Sequence, residues 1–353
     1  MKLSDLAFDY PPHLVALHKE AKSRVLVVEL AAAADTKLQE LDGVSQLFSF
    51  FSAGDVLVLN NTRVLPRRLF AENNFEILFL NQLGTDLGGE TWSVLCPSSQ
   101  WPKDAELRLP DGFFVKLVER GRPQIVQVRG PQGEGQSLTE EYFQKHADLP
   151  LPPYILKARK EKRARPLDQD DYQTQWAKIP GSLAAPTASL HFSTDDIAAI
   201  RALGVKVVEM TLHVGLGTFL PITTSLEEHK MHSESVSVSK EVWQEIERAK
   251  VRGAKVWALG TTVARSLESI AAKKILANAD GDYIGETDIF IRPGFEFKII
   301  DCLLTNFHQP ESTLLALVAA FTNDLNLVKK TYALAIEKQF RLFSYGDLSA
   351  WIK

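Results

Sequence analysis

Runs and alternations of apolar residues divide this 353-residue chain into stretches of different character. Near the N-terminus, Arg24 to Leu30 (RVLVVEL) is an apolar run of strand length. After Gly54-Asp55 a second run, VLVLN, empties into the polar tetrad Asn60-Asn61-Thr62-Arg63. From about Pro66 to Pro150 short apolar runs recur (FEILFL, TWSVLC, FFVKLVE, PQIVQVRG), separated by Gly, Pro, Asp and Asn and without a helical period. That pattern predicts a small antiparallel β domain of barrel type. The proline-rich stretch Leu149 to Ile155 reads as a stiff return link, because proline fixes φ and disfavours helix in the residue before it.

The C-terminal half alternates helix and strand. Ser193, with Asp196 three residues on, opens a helix that Gly204 stops, with Ile197, Ile200 and Leu203 on one face. Val205 to Gly215 follows as a strand. Ser239 opens a further helix with Val242, Ile246 and Ala249 inward, and KVWAL, Lys255 to Leu259, runs as a strand through Gly260-Thr261-Thr262 into the next helix. A last helix is expected from about Leu327 to Leu342. The fold class is α/β: a large mixed α/β domain over residues 1–65 and 151–353, with an inserted small antiparallel β-barrel domain over 66–150.

Composition narrows the class. With 45% hydrophobic and 24% charged residues the chain is globular rather than disordered. The start, MKLSDLAFDYPPH, lacks the apolar core of a signal peptide, and the greasiest run, Leu314 to Phe321, is too short to span a bilayer. A cytoplasmic protein without membrane contact is expected. Cys96 and Cys302 are isolated singletons, so neither a disulfide framework nor a CxxC zinc site is expected. The formal net charge of -4 gives no support to nucleic-acid binding over the whole surface. Locally, KARKEKRAR from Lys157 to Arg165 holds six basic residues and one acid, which suits either a solvated loop or a phosphate-contacting strip.

Four polar clusters are candidates for chemistry. At the first, Arg63 beside a strand end suits a carboxylate or phosphate, or else a surface ion pair. The second, Ala185 to Phe192, offers Thr187, Ser189 and His191 just before a helix. The third, Thr211 to Phe219, ends a strand with His213 and a Gly-x-Gly-Thr segment, Gly215 to Thr218, whose backbone N–H groups suit an anionic or polar ligand. The fourth, Glu228 to Glu234, contains His229, His232 and Glu234. Its spacing differs from HExxH, and acid/base or hydrogen-bonding work by His232 or Glu234 is favoured over a metal site. The turn Gly260-Thr261-Thr262 adds a possible anion cradle at a helix N-terminus.

Eight stretches, in order along nearly the whole chain, carry a resemblance: NNTRVLPRRL from Asn60, APTASLHF from Ala185, TLHVGLGTF from Thr211, MHSE from Met231, ALGTTVARSLES from Ala258, TDIFIRPGFEFK from Thr287, DCLLTNFHQPESTLL from Asp301 and FSYGD from Phe343. Together they resemble the S-adenosylmethionine:tRNA ribosyltransferase-isomerases of queuosine biosynthesis. The resemblance implies an enzyme that donates the ribosyl part of S-adenosylmethionine to 7-aminomethyl-7-deazaguanine at the wobble position of tRNA. Epoxyqueuosine forms, and adenine and methionine are released. S-adenosylmethionine is then a consumed co-substrate, with no prosthetic group, no metal and no obligate protein partner expected.

Carried onto this sequence, the resemblance makes His191 and His213 the first acid/base candidates and His232 and Glu234 the second. Arg63 and Arg265 are candidates to hold a carboxylate or phosphate. Thr187, Gly215, Gly217, Thr218, Thr261 and Thr262 are candidates to line the donor pocket, and the 157–165 strip to meet tRNA phosphates. The chain departs from the family pattern at Ser189, where glycine is usual, and at Phe70 to Phe75, which looks shortened and lacks the usual glycines. An S-adenosylmethionine-dependent RNA methyltransferase fits less well, because RVLVVEL is followed by AAAADTK and not by a glycine loop. A tRNA-binding protein without chemistry is the other alternative.

Overall fold

The protein is described by a computed structural model that covers residues 2–30, 36–86, 88–102, 105–131, 136–215, 217, 226 and 228–353. The chain forms two compact units: one comprises Met1–Val64, Pro152–Glu161 and Leu167–Lys353, and the other Leu65–Leu151 and Lys162–Pro166.

Along the chain, the larger unit first contributes β1 (Val25–Glu29), β2 (Lys37–Leu41), β3 (Val56–Asn60) and β4 (Thr62–Val64). The smaller unit follows with β5 (Arg68–Ala71), β6 (Phe75–Asp86), β7 (Gly89–Leu95), β8 (Glu106–Arg108), β9 (Phe114–Glu119), β10 (Gln124–Arg129) and helix α1 (Glu140–His146). The larger unit then resumes with α2 (Pro153–Arg159), α3 (Asp168–Asp171), β11 (Ile179–Ser182), α4 (Thr194–Ala202), β12 (Lys206–Leu212), β13 (Glu234–Val238) and α5 (Lys240–Val251). It closes with β14 (Val256–Leu259), α6 (Thr261–Ala271), β15 (Tyr283–Thr287), β16 (Cys302–Asn306), α7 (Thr313–Thr322), α8 (Leu325–Glu337) and β17 (Leu348–Ile352).

In the larger unit nine strands form one sheet in the order β15-β13-β12-β3-β14-β16-β17-β1-β2. Strands β12, β3, β14 and β16 are mutually parallel, β17 runs against β16, and β1 runs with β17. All residues of β3, β14, β16 and β17 are buried, as expected of a sheet covered on both faces, and this explains their continuous apolar runs. Behind them Trp257 packs on Phe51 at 4.2 Å between ring centroids and donates its indole N–H to Asp55 Oδ2 at 3.0 Å. Asp55 also accepts the backbone N–H of Lys255 (2.9 Å) and of Ser52 (3.0 Å), so this buried carboxylate is fully engaged. The direction of the strands matters most: the carboxyl ends of β12, β3, β14 and β16 and the beginnings of β13, β17 and β1 share one sheet edge.

Helix starts follow their caps. Ser193 Oγ accepts from Asp196 N at 3.1 Å while Asp196 accepts from Ser193 N at 2.8 Å, a full capping box on α4. Four expectations need correction. Leu203 caps the end of α4 and is 45% exposed rather than inward. On α5 it is Trp243 that is buried with Ile246 and Ala249, Val242 standing at the margin. The last helix ends at Glu337, where Gln339 takes a left-handed conformation and Phe340 N bonds back to Ala335 O at 2.8 Å. That Schellman-type turn carries Phe340 into the core from outside the helix. The return link is stiff only to Pro152, because Pro153 occupies the first position of α2, where its missing N–H costs nothing.

In the smaller unit six antiparallel strands are ordered β5-β6-β7-β10-β9-β8, a barrel-like sheet whose outer strands are not paired to each other among the described residues. Irregularities in β6 between Phe79 and Asn81 and between Gln82 and Gly84 bend it. Phe79, Trp92 and Phe143 of α1 meet edge to face at 5.5–5.6 Å and fill the interior. The glycine-poor turn between β5 and β6 is made by Asn73 and Asn74, with φ of 60° and 57°. Asparagine tolerates this left-handed region better than other non-glycine residues, so the turn closes without the usual glycines.

Candidate functional site

Asn60, the last residue of β3, organises the shared edge. Fully buried, it donates through Nδ2 to Leu212 O (3.0 Å) and Thr262 Oγ1 (3.3 Å) and accepts through Oδ1 from the backbone N–H of Thr62 and Leu212, both 3.1 Å. One side chain thus ties the ends of β3 and β12 to the start of α6. The residue that follows β12 is His213. Its Nδ1 lies 2.8 Å from Thr62 Oγ1, its backbone N–H donates to Ser235 O at 3.0 Å, and its Nε2 has no hydrogen-bond partner among the described residues. The ring lies over Gly181 of β11, where an added Cβ would sit 2.7–2.8 Å from three ring atoms. Partial burial lowers the pKa of His213 below the ordinary histidine value, which favours the neutral ring.

His191 sits in the same edge by a different construction. Its Nδ1 lies 2.7 Å from Ser23 Oγ, just before β1, and its Nε2 lies 2.9 Å from Asn306 Nδ2 at the end of β16. Asn306 Oδ1 accepts the hydroxyl of Thr187 at 2.8 Å. Because the amide nitrogen can only donate, His191 Nε2 is the acceptor and Nδ1 carries the proton donated to Ser23. Both ring nitrogens are therefore occupied. Burial, together with the charges of Arg341 and Lys19, pushes the ring down to about 3. His308 is buried too; its Nε2 bonds Thr305 Oγ1 at 2.9 Å, and burial likewise pushes it down to about 3.

A third group centres on Glu234 at the start of β13. One carboxylate oxygen forms a short ion pair with Arg265 Nη1 of α6, and the other accepts the backbone N–H of Gly215 at 3.0 Å. Both side chains are buried, and Arg265 also donates to Ile289 O. Glu234 therefore pins the first glycine of the Gly-x-Gly segment, with Ser182 Oγ holding the preceding N–H of Val214 at 2.9 Å. Gly217 lies against His232, which is exposed. Thr218 lies outside the described residues. Thr261 and Thr262 open α6 behind Gly260, whose φ of 99° and bond to Leu304 O aim the helix start at the edge. Arg63 is exposed on β4 and its side chain has no partner among the described residues. Among the described residues no group of three or more His, Cys, Asp or Glu side chains is placed to hold a metal ion.

The edge thus brings together His213, His191, Thr187, Gly215, Thr262, Arg265 and Glu234, linked through Asn60, Asn306 and α6. The basic strip is partly committed elsewhere. Arg159 makes a bidentate pair with Asp168 (2.7 and 2.8 Å) that is buried, and Arg163 stacks on Phe70 at 4.1 Å. Lys157, Lys160 and Lys162 remain exposed. Ser189 has an ordinary backbone conformation, so glycine is not required there, but its buried hydroxyl has no partner among the described residues.

The sequence matches the family described as queuosine biosynthesis protein over residues 3–350. The chain belongs to this family. Among its relatives, the S-adenosylmethionine:tRNA ribosyltransferase-isomerase of Syntrophotalea carbinolica is 39% identical, with 98% of each chain covered. That of an Azoarcus species is 38% identical, covering 98% of this chain and 96% of the relative. The crystal structure of the S-adenosylmethionine tRNA ribosyltransferase from Thermotoga maritima shares 28% identity and a TM-score of 0.54, covering 99% of this chain and all of that one. The mixed α/β fold with a barrel-like antiparallel sheet is thus that of a queuosine biosynthesis protein.

Around the candidate site, Ser23, Gly181 and Ser182 were not singled out from sequence, whereas Thr305 to His308 read as a wall of the donor pocket. Asn306 stood in the motif TNFH, and a buried amide at the end of an apolar strand is itself a signal. Ser23 and Gly181 carried none, because each matters only through a partner brought by the fold.

Proposed function

We propose that this chain is an S-adenosylmethionine:tRNA ribosyltransferase-isomerase acting in the cytoplasm on 7-aminomethyl-7-deazaguanine at the tRNA wobble position. The observation that carries this reading is the likeness to such enzymes over 98% of both chains, with neither unit missing. The sulfonium of the donor acidifies the neighbouring C5′ hydrogens, so the reaction requires a proton acceptor. It also requires a proton for the departing adenine and a counter-charge for the methionine carboxylate. In our assignment His213, whose Nε2 has no partner among the described residues, moves the proton. His191 holds Asn306 and Thr187 in place and moves none. Glu234 sets the Gly215 backbone and the orientation of Arg265, and Arg63 and the start of α6 offer cationic and N–H donors to anionic groups. Lys157, Lys160 and Lys162 are the strip residues we assign to tRNA phosphates.

Incubation of the purified protein with S-adenosylmethionine and precursor-bearing tRNA, followed by nucleoside mass spectrometry, tests the reading. Conversion to epoxyqueuosine with release of adenine is expected. A methylated nucleoside, or binding without conversion, would overturn it in favour of a methyltransferase or a binding protein.

A further inference from the structure

We propose that Thr62 is a positioning residue for His213: its hydroxyl holds Nδ1, and with Gly181 beneath the ring it fixes the imidazole so that Nε2 faces the reacting groups. The inference rests on the assignment of His213 as the proton-transfer group.

Three observations converge on it. Thr62 is fully buried and its position is set twice, by pairing of β4 with β11 and by the bond from its backbone N–H to Asn60 Oδ1. Its hydroxyl is thereby delivered to Nδ1 at 2.8 Å. The opposite constraint comes from Gly181, beside Thr62–Val64 on β11, whose missing side chain is the space the ring occupies. A histidine clamped at one nitrogen and on one face has a fixed orientation, and the bond at Nδ1 decides which protonation states Nε2 can adopt. A hydroxyl suits this place because it can donate to a bare Nδ1 and accept from a protonated one. For Nε2 to take up a proton, Nδ1 must already carry one and donate it to Thr62 Oγ1, and that bond keeps its direction when the ring becomes charged. The charged groups on the neighbouring elements are Arg63, the pair Lys178–Glu209 and the pair Glu234–Arg265, and none of them is hydrogen-bonded to the imidazole. Among the described residues, Thr62 is the side chain hydrogen-bonded to the imidazole.

The test compares Thr62→Val, Thr62→Ser and His213→Gln in the full-length protein, reading kcat and KM for S-adenosylmethionine across pH. Thr62→Val keeps the shape and removes the hydroxyl, and a kcat loss of about tenfold is expected, the worth of one hydrogen bond, with little change in KM. The histidine limb of the pH–rate profile should shift, and Thr62→Ser should restore both rate and profile. Histidine ring 15N shifts should show the Nδ1/Nε2 tautomer balance of His213 altered in Thr62→Val and restored in Thr62→Ser. If His213→Gln removes activity while Thr62→Val leaves rate, profile and tautomer balance unchanged, the positioning role is wrong. If His213→Gln itself retains full activity, the assignment of His213 fails instead.

Discussion

Two histidines stand at one sheet edge, each inside a polar motif, and the fold treats them differently. His191 is bonded at both nitrogens, to Ser23 and Asn306, and buried so that it stays neutral down to about 3. His213 is bonded at one nitrogen only, rests on a glycine and keeps its second nitrogen without a partner among the described residues. The first arrangement ties Ser23, ahead of β1, to Asn306 at the end of β16; the second leaves the nitrogen to which our assignment gives the proton transfer. Motif membership does not separate the two arrangements, but the number of ring nitrogens bonded to described residues does.

The comparison is sharpened first by removing each ring. His213→Gln should lower kcat by roughly 10²–10⁴-fold, the usual worth of a general acid or base, without unfolding the protein. His191→Gln should instead cost about 1–3 kcal/mol of stability by leaving buried partners unpaired, and at most about tenfold in rate. Urea denaturation and steady-state rates on both variants check this, and an equal loss of rate in the two would erase the distinction.

Next comes the pair that pins Gly215. Glu234→Gln leaves Arg265 buried without its counter-charge, and a loss of about 3–5 kcal/mol is expected, partly recovered when Arg265→Met is added. Full stability of the single variant in urea would mean that the pair is not buried in solution.

The pH dependence follows from the same contrast. An unfolded histidine takes up a proton below about 6.5, whereas His191 and His308 in the folded protein do so only near 3. Between those values the unfolded state binds more protons, so stability is present above this window and lost as pH falls through it. Each buried ring contributes about 1.4 kcal/mol per pH unit. His191→Gln should flatten the slope measured by urea unfolding between pH 6 and about 4.5. An unchanged slope would show that His191 titrates normally. The smallest effect belongs to Ser189: replacing it by alanine removes a buried hydroxyl that has no partner among the described residues and should leave stability unchanged or raise it by about 1 kcal/mol. A clear loss in Tm would reveal a partner for that hydroxyl.

Much of the fold was legible in the sequence because its central strands are buried on both faces. VLVLN and KVWAL read as strands with polar residues at their ends, and both are strands buried throughout. The capping box of α4 was equally plain. What could not be read were partnerships over distance. Asn306 reaches His191 across 115 positions and Ser23 reaches it across 168, and no local pattern encodes either bond. Gly181 carries no signal of its own in the sequence; the pairing of β11 with β4 brings it under an imidazole. Arg159 looked like one more basic residue of a strip, yet its guanidinium is consumed by Asp168.

The most direct test of the account is to supply S-adenosylmethionine labelled with 13C either in the ribose or in the methyl group and to weigh the modified tRNA nucleoside. Ribosyl transfer predicts that all the ribose label and none of the methyl label enters the nucleoside, with one adenine and one methionine released for each. Methyl label in the nucleoside, or no label from either donor, would contradict it.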